Sequence, residues 1–329
     1  MLDVSLGKDA VRIGPHFSLT FQRTLRIPDD GRTYPLPPGL GRFPVRRVAD
    51  YAARVPESWR EHGGVFIPMY QREAMWLHFD APYWRPCAVQ IGVGKINAIS
   101  GKALEPRLSQ RRQDYVVCPD QPWLDGIKAG EGFIRQFVAM PLGMGYTVEG
   151  QLTGDEEFGG LQITVFDPKP GRFPDEPPKE RVIAHDMVMC CAAPGTAMGL
   201  AAGGRMRQSI YPDRHGIDTW DESNTGRVYV HIVNSLAYRE ITGERAPESP
   251  ISARTYTQYG YPWFTLYDEE RGDIALSEEL AGVKSVKQMD ESKGFAPQQD
   301  DDPVPVPQGQ VIEIGTKKTE DIPVGPSKW

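Results

Sequence analysis

Cysteine is scarce, with four in 329 residues: Cys87, Cys118, Cys190 and Cys191. That excludes a disulfide framework for a chain of this size, and the last two, being adjacent, cannot bridge each other without strain. Basic charge is also short. The formal net charge is -7 and the adjacent basic pairs are Arg46-Arg47, Arg111-Arg112 and Lys317-Lys318, so no concentrated cationic face offers itself to nucleic acid. The six histidines are scattered, without HExxH, HxH or CxxC spacing, and no metal or cofactor is implied. No G-x-S-x-G elbow is present, and no phosphate loop stands in a strand–loop–helix frame. The first twenty residues carry Asp3, Lys8, Asp9 and Arg12 and no apolar core. A cytoplasmic location is expected.

Long apolar runs are missing as well. The longest uncharged stretch, MVMCCAAPGTAMGLAAGG at 187–204, would reach only about 27 Å as a helix, against the ~30 Å of a bilayer core. It is broken by Pro194-Gly195 and dominated by Ala and Gly, so no membrane partner is expected.

Proline (30) and glycine (34) are abundant, which shortens regular elements and favours strands joined by turns. Strand patterns fall at Ser18 to Ile27, Val65 to Met69, Ala74 to Phe79, Cys87 to Ile99, Phe133 to Met140, Tyr146 to Leu152 and Leu161 to Phe166. The polar Gln71-Arg72-Glu73 between the second and third reads as a hairpin or bulge. Val48 to Val55 and Ser58 to Glu61 read as short helical connections ended by Pro56 and Gly63-Gly64. Beyond a proline-rich segment (167–181, five prolines among charges), Arg227 to Val233 and Trp263 to Tyr267 are strands. Ser235 to Thr242 is a helix capped by Asn234 and closed by Gly243, and Ser277 to Gln288 is a charged possible helix. From Asp290 onward there are eight acids against four lysines, with six prolines: an extended tail.

The expected fold is mainly β (α+β): sandwich-like antiparallel sheets with a few short helices and an acidic C-terminal tail. In this reading residues 1–166 form the β-sandwich-like region, 167–181 a linker, 182–289 a smaller α+β region and 290–329 the tail.

No grouping stands out as catalytic, and a non-enzyme is the expectation. Asp155-Glu156-Glu157 and Asp221-Glu222 have the residue types of a glycosidase pair, but acidic clusters beside glycines are commonly solvated turns. Asp213, His215 and Asp218 are the nearest approach to a metal set. Two features point to function. Gly195, Gly199 and Gly203 fall at i, i+4 and i+8, a smooth face if the stretch is helical, and with Ile314 and Trp329 of the tail they are interface candidates. The leading expectation is a self-associating structural or scaffold protein, a homo-oligomer. The alternative is a hydrolase or small-ligand-binding protein, carbohydrate being one ligand class, with its site in the N-terminal β region. There Lys95 and Asn97, continuing the apolar parity of Cys87 to Ile99, would join Trp123 and Glu149 around a site. A carbohydrate platform would draw on Trp84, Trp123 and Trp263.

The runs FQRTLRIPDDGRTYPLPPGLGRFP (21–44), GGVFIPMYQREAMW (63–76), GKINAISG (94–101), QDYVVCPDQPWLDG (113–126), RQFVAMPLGMGYTVEGQLTG (135–154), GGLQITVF (159–166), GGRMRQSIYPD (203–213) and PWFTLYDE (262–269) together resemble an uncharacterised family widespread in bacteria and some fungi. Its members are usually labelled hypothetical proteins and occasionally integral membrane proteins. The resemblance spans roughly residues 20–270 and implies no activity, cofactor or catalytic residue.

Overall fold

A computed structural model describes residues 1–176, 194–266 and 271–314. The chain is mainly β, with six short α-helices among the described residues and seventeen strands joined in one sheet. Alternation explains the strands. In Phe17–Thr24 the residues Phe17, Leu19 and Phe21 are buried on one face, and Leu19 and Phe21 lie opposite Phe79 and Leu77 of Ala74–Asp80. Cys87–Val93 repeats the pattern. Val89, Ile91 and Val93 face Val165, Ile163 and Leu161 of Leu161–Pro168, and such cross-strand apolar pairs are what a sheet is built on.

The sheet folds on itself into two layers around this core. One runs from Val11–Ile13 through Phe17–Thr24, Ala74–Asp80 and Phe133–Pro141 to Pro194–Arg207. The other joins Cys87–Val93, Leu161–Pro168 and Trp220–Asn234, with Val65–Met69 running parallel to the last. The layers are continuous where Ala197 and Met198 pair with Val233 and Ile232. They are bridged again by residues 116–124, whose Val116–Cys118 pairs with Cys87–Val93 and whose Trp123–Leu124 pairs with Ala74–Asp80. Phe21, Leu77 and Phe137 from one layer and Val89, Ile163 and Val230 from the other share one buried cluster. Burying each such side chain is worth about 1.5–3 kcal/mol.

Several sequence expectations change here. Val65–Met69 and Ala74–Asp80 do not form a hairpin. They leave in different directions, and Arg23, Nε to Oε1 of Glu73 at 2.8 Å, fixes the turn between them. Cys87 to Ile99 is not one strand. Gly94, with φ +56, turns the chain so that Ile96 pairs back on Val93, a conformation glycine adopts without a Cβ clash. Tyr146 to Leu152 is helical, Val148–Thr153, because Thr147 caps the N-terminus by accepting from Gly150 and Gly154 closes it in the left-handed region. The charged helix splits at Gly282 into Glu278–Ala281 and Val286–Ser292.

The Gly/Ala stretch is a strand, Pro194–Arg207, as far as it is described. Its glycines admit neighbours from the same molecule: an added Cβ at Gly199 would stand 2.8 Å from Thr147, and one at Gly203 2.6 Å from Val138. Leu161–Pro168 runs two residues into the proline-rich segment 167–181 and pairs with Trp220–Asn234; residues 177–181 fall outside the described residues. The tail, too, lies along its own chain as far as Ile314. Asp290 meets Arg72, Asp301 meets Arg26, Val304 is buried, and Val311–Ile314 pairs in parallel with Trp263–Leu266. Trp329 and the Cys190-Cys191 pair fall outside the described residues. Among those described, no helix is long and apolar enough to cross a membrane.

Candidate functional site

The C-terminal strand pair does more than anchor the tail. Phe264 pairs with Leu36 across an isolated bridge, and the space between this pair, the hairpin at Gly130–Phe133 and residues 207–211 is a cleft of about 740 Å³. Tyr34, Leu36, Phe133, Tyr211 and Phe264 line its walls, and Gln208 and Asp273 supply polar groups. Pockets for small molecules have this make-up, apolar and aromatic walls with a few placed polar groups.

Each polar group is positioned by a local network. Asp273 accepts Nζ of Lys128, the backbone N–H of Gly132 at 2.6 Å and, on its other oxygen, that of Ile210 at 2.8 Å. The Lys128 side chain is wholly buried. Burial lowers its pKa, opposed by the hydrogen bond and charge of Asp273. A buried ammonium is tolerated only when paired in this way.

Behind Gln208 sits Asp125. Its backbone N–H donates to Oε1 of Gln208 at 3.0 Å, and its Oδ2 accepts Nε1 of Trp123 at 2.7 Å. Burial pushes the Asp125 carboxyl up to about 7, with the Trp123 bond opposing. The Asp125 carboxyl is buried and does not line the cleft; its backbone N–H reaches the wall through Gln208. Gln121 completes the frame by donating to the carbonyls of Trp123 and Ser209 and accepting the N–H of Tyr211. These amides hold the wall at 207–211 to the strand Trp123–Leu124.

Of the four residues expected at a site, none lines the cleft. Trp123 is half-buried beside Tyr34 and Leu36 in the second apolar cluster. Lys95 and Glu149 do meet, but as a staple. Glu149 accepts the N–H groups of Lys95 (3.0 Å), Phe158 and Gly159 (3.0 Å), and the exposed Lys95 lays its ammonium 3.6 Å over the Phe158 ring. Asn97 is spent on the backbone: it donates to the Asp114 carbonyl and accepts from Ile99 and Ser100. The parity argument failed because the strand turns at Gly94. Asp213 binds Tyr115, Trp220 and the N–H of His215, and so holds a loop together. Trp263 is fully buried, which removes it from any exposed platform.

Lys128, Asp125, Gln208 and Asp273 escaped sequence reasoning. Asp125 had a local signal, an acid two residues after a tryptophan in a strand pattern. Lys128 and Asp273, 145 residues apart, had none. No family model, curated protein or solved structure matches the chain.

Proposed function

We propose that this chain is a small-ligand-binding protein whose site is the cleft under Phe264. The ligand class is a small organic molecule with a flat apolar part for the aromatic walls and a polar group for the lining residues Glu131 and Arg207. The observation that carries the reading is the cleft itself, about 740 Å³ between the Leu36–Phe264 bridge and a wall at 207–211 that Gln121 and Gln208 tie to Trp123–Leu124.

A thermal-shift screen of an aromatic and heteroaromatic fragment library tests the proposal. Binders should raise the unfolding temperature of the wild type and lose at least tenfold in affinity in Phe264→Ala and Arg207→Ala. Absence of binders, or binders indifferent to both substitutions, removes it.

Self-association is a second reading, favoured by one observation. Among the described residues Val311–Ile314 pairs on one edge only, and Ile312 on it is 50% exposed. Open edges invite pairing with another chain. Light scattering after size exclusion, with Ile312→Lys as the control, decides it: a monomeric wild type ends this reading. The free, buried thiols of Cys87 and Cys118 support a reducing, cytoplasmic setting.

A further inference from the structure

Cys87 and Cys118 are direct register partners on adjacent antiparallel strands. Cα atoms so placed stand about 4.5–5.5 Å apart, inside the ~4.4–6.8 Å a disulfide requires. Both thiols are free. They differ in access. Cys118 is completely buried, whereas Cys87 is slightly exposed and lines a narrow crevice with His16, Arg85 and Asp167. Arg85 has its Nε buried without a partner, so an unmatched donor stands at the crevice that leads to the outer thiol.

We propose that Cys87 and Cys118 form a redox-responsive dithiol, oxidised to a cross-strand disulfide by hydrogen peroxide acting first on the outer thiol, Cys87. The inference is independent of the ligand-binding reading. The Cys87 thiolate attacks one peroxide oxygen and the O–O bond breaks, giving a sulfenic acid and, with hydrogen peroxide, one water after protonation. The Cys118 thiol then attacks the Cys87 sulfur, the S–O bond breaks, and the thiol proton leaves with the departing hydroxide as the second water. Two thiols are oxidised to one disulfide and the peroxide is reduced to two waters. The Cys118 thiol donates to the Gln121 carbonyl at 3.4 Å, and oxidation removes that donor. Gln121 holds Ser209 and Tyr211, so the oxidation state of the pair reaches the wall at 207–211.

The test uses the full chain carrying Cys190→Ser and Cys191→Ser, treated with hydrogen peroxide, alkylated under denaturing conditions and digested. The expected product is a cross-linked pair of peptides containing Cys87 and Cys118, lighter by two hydrogens and restored by dithiothreitol. In Cys87→Ala, Cys118 should stay a thiol at the same peroxide dose. Alkylation of both cysteines after treatment overturns the proposal, as does accumulation of a sulfinic acid at Cys87 with Cys118 untouched. Thermal unfolding of Cys87→Ala and of Cys118→Ala shows that each variant is folded, and either one serves as the control.

Discussion

Arg72 and Asp290, 218 residues apart in sequence, form a two-pronged ion pair with both N–O distances at 2.8 Å. The pair joins the turn before Ala74–Asp80 to the helix Val286–Ser292, and Tyr146 adds a hydrogen bond to the same carboxylate at 2.6 Å. A segment whose composition reads as an unstructured acidic tail is thereby made part of the fold. A second anchor, Arg26 with Asp301, follows eleven residues further along as a single-pronged ion pair.

Asp290→Ala should destabilise the protein by roughly 2–4 kcal/mol, since it strands a largely buried guanidinium. Burial works against ionisation of Asp290, but the Arg72 and Tyr146 hydrogen bonds prevail and its pKa is lowered. The native state therefore binds this proton more weakly than the unfolded chain. The stabilisation is present above the ordinary aspartate range and is lost as pH falls through the lowered native value. Urea unfolding at pH 7 and pH 3 checks both statements: the variant's deficit should shrink at the lower pH.

Asp125 has the opposite sign. Its native pKa, pushed up to about 7 by burial, lies above the unfolded value, so the native state holds the extra proton between the two. Stability conferred by this group declines as pH rises from about 4 to 7, by roughly 2–4 kcal/mol in all. Asp125→Asn should flatten that decline in a series of unfolding curves. Trp123→Phe, which removes the indole donor at 2.7 Å, should move the titration upward from about 7. Carbon NMR of labelled aspartate reads it directly.

Lys128→Ala should cost about 3–5 kcal/mol, because it leaves Asp273 without its cation and opens a cavity under the cleft. Lys128→Ala combined with Asp273→Asn should cost less than the sum of the single changes, and a double-mutant cycle on unfolding free energies measures the coupling. Independent costs would mean the pair is not a unit.

The helix Ser235–Thr242 supplies a local test. Asn234 accepts the N–H of Leu236 at 3.2 Å, and Gly243 closes the other end at φ +76. Asn234→Ala and Gly243→Ala should each lower stability by about 1 kcal/mol without altering ligand-independent properties of the cleft, as judged by tryptophan fluorescence.

That helix was legible residue by residue, since capping and termination are matters of a few neighbours in the chain. So were the strands Phe17–Thr24, Val65–Met69, Ala74–Asp80, Phe133–Pro141 and Leu161–Pro168, to within a few residues, because alternation is a local pattern. Errors arose where two local patterns overlap. Tyr146 to Leu152 has strand-like residues, but Thr147 at the cap position and Gly154 at the end tip it into a helix. The stretch from Pro194 is small and uncharged, compatible with either state. Its strand form is decided by the neighbour Phe133–Pro141, which pairs with it from Met198 to Arg207.

Local sequence, then, determined the class of this protein: turn-rich strands with one apolar face, short capped helices, few cysteines and little cationic surface. Tertiary structure alone decided which polar residues matter. Lys128 with Asp273, Asp125 with Gln208, and Cys87 with Cys118 acquire their properties only when distant segments exclude water around them. Burial and pairing are long-range quantities. No spacing along the chain encodes the shift of a carboxyl toward neutrality or the meeting of two thiols across a sheet.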